Sequence, residues 1–146
     1  MSKLFLYCDG AIEPRNPGGH AVGGWVLKDE NDSLICVGNI DCGESPEMTN
    51  NIAEYAAVLS GLRDGIEGLE DYEIIVRTDS KLVVEQLNKR WKCHSEHLRP
   101  YRDKILNLMK SIGNVSIEWI PREENTEADT QSRALYGLQT VNGEKP

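Results

Sequence analysis

The chain has 146 residues and a mass of 16.4 kDa, and its 39% apolar share suffices for one globular domain with a single core. Its 24 acidic against 16 basic side chains give a formal net charge of −8, which excludes a protein that coats nucleic acid through a broad basic surface. An enzyme whose clustered carboxylates are offset by bound divalent cations stays compatible with that charge.

No run of about 18 apolar residues exists, and the apolar segment at the N-terminus is too short for a signal peptide, so the expectation is a soluble, cytoplasmic, membrane-free protein and, by default, a monomer. Cys8, Cys36, Cys42 and Cys93 form no CxxC pair and three of them lie in or beside strands, which points to reduced thiols. Cys93, His94 and His97 sit too close together in sequence, without a separated fourth partner, to make a tetrahedral zinc site.

Residues 3–11, 20–28 and 33–42 read as three strands, parted by the turn-rich segments 13–19 and 29–32, and short connections of this kind predict an antiparallel meander. After Pro46 the period changes. Ile52, Tyr55, Ala56, Leu59, Leu62 and Ile66 recur at helical spacing, behind the cap Thr49-Asn50-Asn51 and ahead of Gly68. A strand at 72–78, a short helix at 81–88, a longer helix near 97–112, a strand at 115–120 and a helix at 126–136 follow. The fold class is therefore α/β: a mixed five-stranded sheet, three antiparallel strands followed by parallel additions, flanked by helices. One domain spans 1–140, and the polar residues 141–146 read as a flexible tail.

Four carboxylates stand where these elements begin or end. Asp9 follows the apolar run Leu4-Phe5-Leu6-Tyr7-Cys8, Asp79 follows Ile74-Ile75-Val76, Glu54 lies one turn into the first helix, and Asp129 lies one turn into the last. Strand ends in α/β sheets are where sites are built. If these groups converge, with only Arg77 and Lys81 near them in sequence, their repulsion calls for hard divalent ions, and oxygen-only ligands favour Mg²⁺ or Mn²⁺. Each residue also has a structural use. Asp129 can close a capping box with Thr126, Asp79 can share the N-cap with Ser80, and Glu54 lies off the apolar stripe where glutamates are usually solvated. Asp9, amid apolar neighbours in a central strand, has no such use.

Tyr7-Cys8-Asp9-Gly10-Ala11 with Asn16-Pro17-Gly18, then residues 49–55 (Thr-Asn-Asn-Ile-Ala-Glu-Tyr), Arg77-Thr78-Asp79-Ser80 and Asn125-Thr126-Glu127-Ala128-Asp129, closely resemble type 1 ribonuclease H over residues 3 to 136. The resemblance implies the ribonuclease H-like fold, with Asp9, Glu54, Asp79 and Asp129 as catalytic metal-binding carboxylates. It further implies two Mg²⁺ ions per site, with Mn²⁺ as a substitute. The implied reaction is endonucleolytic hydrolysis of the RNA strand of an RNA/DNA hybrid, leaving 5′-phosphate and 3′-hydroxyl ends. Asn16, Asn50 and Asn51 match positions that contact backbone and sugar, and Thr49 matches one associated with a DNA-strand phosphate. Ser80 is grouped with these substrate contacts. The same residues also make good turns and helix starts.

The chain departs from the family pattern in three places. Glu47 stands where many relatives carry a basic residue, two positions before Thr49. The segment after Lys89-Arg90-Trp91-Lys92 is short where bacterial relatives insert a basic protrusion. Trp91 and Lys92 could follow the DNA strand, or belong to a solvated loop with Trp91 buried. Residues 119–125 lack the histidine many relatives carry, which resembles a compact bacterial and archaeal subgroup and suggests that Arg122 substitutes by contacting a phosphate. Two other readings stay open: a nuclease that also cleaves double-stranded RNA, and a weakly active hybrid-binding module.

Overall fold

A computed structural model describes residues 2–143, with side chains through residue 137. Five strands form one sheet in the order β3-β2-β1-β4-β5. Strands β1 (Lys3–Glu13), β2 (His20–Asp29) and β3 (Leu34–Glu44) make the antiparallel meander, and β4 (Glu73–Thr78) and β5 (Val115–Trp119) add in parallel on the far side of β1. The three antiparallel strands and the parallel additions therefore match the expectation from the sequence, with boundaries moved by a residue or two.

Helix α1 (Asn50–Ser60) opens on Thr49, whose Oγ1 accepts from the Ile52 N–H at 3.2 Å. The expected continuation toward Gly68 is a widened π-type turn at Gly61–Gly65. Trp25 from β2 occupies the space: a Cβ on Gly61 would lie 3.2 Å from its ring, and one on Gly65 would lie 2.7 Å away. The indole N–H donates to Ser60 Oγ at 3.0 Å. Helix α2 (Lys81–Leu87) and helix α3 (Arg99–Ile112) follow, α3 starting after Ser95 Oγ accepts the N–H groups of His97 and Leu98. Leu4, Leu6, Cys8, Ile74 and Val76 of the sheet pack with Tyr55, Val58 and Leu62 to form the core.

Helix α4 (Thr126–Gly143) covers the opposite face and runs past the expected end at 136, through residues read as tail. A lone glycine, Gly137, weakens a helix by only about 1 kcal/mol and does not terminate it. Residues 144–146 lie outside the described residues. The two helices reach the sheet through adjacent glycines whose positions point to opposite faces. A Cβ on Gly23 would lie 3.0 Å from Ala57 of α1, and one on Gly24 would lie 2.3 Å from the Ser132 backbone of α4. Ser132 is the small residue that lets α4 settle on Gly24, its hydroxyl returning to the Asp129 carbonyl at 2.8 Å.

Candidate active site

Pairing between β1 and β4 ends at Cys8 with Thr78, so Asp9 and Asp79 stand side by side just beyond the last shared rung. Glu54 arrives from α1 at the level of Gly10. A Cβ there would lie 2.4 Å from the Glu54 nitrogen, so only glycine lets the helix lie this close, and the Gly10 N–H donates to Glu54 Oε1. Asp9 and Glu54 are each 7% exposed. One carboxylate oxygen from each of Asp9, Glu54 and Asp79 lies within 4.8 Å of the others. The off-stripe glutamate is thus buried at the site rather than solvated.

Electrostatics makes this cluster unstable alone. At an effective dielectric of about 20, two unit charges 4.8 Å apart repel by roughly 3 kcal/mol. Three such pairs sum to roughly 10 kcal/mol, comparable to the whole stability of a small domain. Asp9 and Glu54 respond by holding protons more tightly. Burial first, then the charges of Glu54 and Asp79, push Asp9 far above the ordinary carboxylate range. Burial and Asp79 push Glu54 up as well, against the Gly10 N–H, Asp9 and Arg122, which pull it down.

Asp129 sits at the rim. Its carboxylate lies close enough to Asp9 to help raise that group's pKa and accepts from Arg133 Nε at 3.0 Å, while its N–H donates to the Asn125 carbonyl at 3.1 Å. Asn125 is buried and joins three parts of the site. Its amide donates to the Cys8 carbonyl at 2.8 Å and to Asp79 Oδ1 at 3.2 Å. Nothing in the sequence beyond its place in the last motif marked it for this.

The acidic pocket has a volume of about 480 Å³, and its walls include Asn16, Asn50, Asn51, Ser80, Lys81, Arg122, Asp129 and Arg133. Asn16 Oδ1 accepts from the Asn50 N–H at 3.2 Å, which ties the β1–β2 turn to the start of α1. Ser80 alone caps α2, its Oγ accepting from the Val83 N–H at 3.2 Å, so Asp79 is free of that duty. Arg77, near in sequence, points elsewhere: it lies over Phe5 at 4.2 Å and donates to Glu118 at 2.7 Å. Thr49 serves as the α1 cap and does not line the pocket.

Trp91 and Lys92 lie apart from the carboxylates, in a second pocket of about 490 Å³ with Lys89, Arg90 and Arg102. Trp91 is 48% exposed, so the alternative of a buried indole is not realised. Gln86, in the wall of this second pocket, accepts from the Tyr55 hydroxyl at 2.6 Å and donates to the Lys92 carbonyl at 3.2 Å. Cys93 is a buried free thiol whose Sγ approaches the Ser95 carbonyl, and Arg99 donates to the carbonyls of Cys93 and His94.

The model of the reverse-transcriptase-like family matches residues 8–134. The chain is 33% identical over 127 residues to a bifunctional protein of Mycobacterium tuberculosis, covering 87% of this chain and 34% of that protein. It is 35% identical over 128 residues to ribonuclease HI of Halobacterium salinarum, covering 61% of that protein. The chain thus spans only about a third of the mycobacterial relative and under two thirds of the halobacterial one. The crystal structure of RNase H1 from Halobacterium salinarum superposes with a TM-score of 0.82 at 32% identity, covering 92% of this chain and 98% of that one. LC11-RNase H1, solved in complex with an RNA/DNA hybrid, superposes at 0.80 with 30% identity, covering 90% and 94%. In sequence and fold, the chain belongs to the type 1 ribonuclease H family.

Proposed function

We propose that this protein hydrolyses the RNA strand of RNA/DNA hybrids as an endonuclease, with two divalent cations, Mg²⁺ or Mn²⁺ in its place, held by Asp9, Glu54, Asp79 and Asp129. The observation that carries this reading is the set of three buried or half-buried oxygen donors within 4.8 Å of one another. Hard oxygen donors without sulfur or imidazole fit a small divalent cation. Bound there, such ions supply charge neutralisation and Lewis acidity for phosphodiester hydrolysis. The kinship with a ribonuclease H1 solved on a hybrid supports the substrate.

In the net reaction water adds at phosphorus and the P–O3′ bond breaks, the 3′ oxygen leaving with a proton as a hydroxyl and the phosphate staying on the 5′ end. The protein's own residues bind and orient. Asn16, Asn50 and Asn51 line the pocket with amides suited to 2′-hydroxyls and sugar edges of a minor groove. Thr49 and Ser80, already committed as caps through their hydroxyls, hold the flanking backbone for the phosphates. Arg122 faces Glu54 closely enough to lower its pKa, and supplies the cation for the scissile-region phosphate. Trp91 and Lys92, with their basic neighbours, take the DNA strand.

Incubation of an end-labelled hybrid with Mg²⁺ or Mn²⁺, beside duplex DNA and duplex RNA, tests the proposal. Internal cuts in the RNA of the hybrid, with duplex DNA intact, are expected. An intact hybrid overturns the activity, and equal cutting of duplex RNA overturns the substrate.

A further inference from the structure

Three carboxylates form the inner cluster, and the fourth, Asp129, is engaged by an internal cation. Arg133 lies one turn along α4 from Asp129 and donates to its Oδ1 through Nε at 3.0 Å. Through Nη1 the same guanidinium donates at 2.8 Å to Glu13, the last residue of β1 and 120 positions away in sequence. Glu13 lies outside every motif that carries the family resemblance, and its side chain is 50% exposed. The Glu13 bond is the larger of the influences that raise the Arg133 pKa, ahead of Asp129.

A guanidinium is a planar fork that grips a carboxylate through two parallel N–H groups when free to turn. An Arg133 without Glu13 is free to turn in that way onto Asp129. The fork that would grip both oxygens of Asp129 pairs Nε with Nη2; the Nη1 bond to Glu13 holds the plane of the guanidinium so that Nε alone donates to Asp129, through Oδ1. The remaining oxygen of Asp129 stays available beside Asp9. We propose that Glu13 is a positioning residue for the metal centre: by restraining Arg133 to one contact, it keeps Asp129 open as a cation ligand. The inference rests on the reading of the acidic cluster as a metal centre.

The test is Mn²⁺ binding to the metal-free full chain, followed by calorimetry and by the EPR signal of free Mn²⁺, in the wild type, Glu13→Ala, Arg133→Ala and the double variant. Glu13→Ala weakens binding about five- to tenfold, the size of one charge-assisted bond lost by the ion to the guanidinium. Arg133→Ala binds at least as tightly as the wild type, because the competitor is gone, and adding Glu13→Ala to it changes nothing further. That loss of effect separates positioning through Arg133 from a general loss of negative charge. Unchanged affinity in Glu13→Ala overturns the inference, as does an equal weakening in the Arg133→Ala background. If the wild type binds no Mn²⁺, the metal-centre reading falls and the inference with it; if the wild type binds and Glu13→Ala matches it, only the inference falls.

Discussion

Replacing Asp9 by Asn removes a carboxyl that the metal-free protein must keep protonated or pair with like charges at short range. The ordinary Asp value is 3.8, and burial with Glu54 and Asp79 raises it far above that in the folded protein. The folded state therefore holds a proton that the unfolded state releases. Stability conferred by that proton is complete below the unfolded value and is lost as pH rises from there through neutrality. One proton of difference corresponds to about 1.4 kcal/mol per pH unit. Between pH 5 and pH 8 the metal-free wild type should lose roughly 4 kcal/mol relative to Asp9→Asn, and somewhat less where Glu54 takes up part of the proton. Urea unfolding of both proteins in EDTA at four pH values measures this directly. Excess Mg²⁺ should flatten the wild-type curve and leave Asp9→Asn nearly unaffected, since cation binding releases the same proton. Parallel pH dependences for the two metal-free proteins would refute the reasoning.

Other consequences are independent of that one. Gly24→Ala places a methyl within 2.3 Å of the Ser132 backbone, so α4 must shift, with a stability loss of about 2–3 kcal/mol in urea melts and a larger loss of cleavage than of hybrid binding. Arg122→Ala removes the proposed phosphate contact and should lower hybrid turnover about tenfold or more; unchanged turnover removes that role. Trp91→Ala should raise KM for hybrid about tenfold while kcat stays within about a factor of two, consistent with a stacking contact worth about 1–3 kcal/mol. An unchanged KM returns Trp91 to an ordinary exposed loop residue.

Much of the fold and the heart of the site were legible in the sequence, because both rest on local signals. Alternation in the three N-terminal strands, helical spacing after Thr49 and apolar runs ending in Asp9 and Asp79 report geometry that neighbouring residues fix among themselves. What escaped was set by residues distant in sequence. The widening of α1 at Gly61–Gly65 follows from Trp25 on another strand. Arg77 looked like a neighbour of the carboxylates, yet it alternates to the sheet face bearing Phe5 and Tyr7 and pairs with Glu118. Asn125 binds both Cys8 and Asp79, and Arg133 joins Asp129 to Glu13, through side chains that no periodicity encodes. The small Ser132 in α4 is set in the same way, by the backbone of Gly24 beneath it.

The most direct test compares wild type with Asp79→Asn on one labelled RNA/DNA hybrid in Mg²⁺, following cleavage on gels and binding by fluorescence anisotropy. Asp79 supplies an oxygen to the inner cluster without capping α2, so its loss should abolish cutting, by about a thousandfold or more, and leave hybrid affinity within a fewfold. Cutting by Asp79→Asn at the wild-type rate would contradict the account.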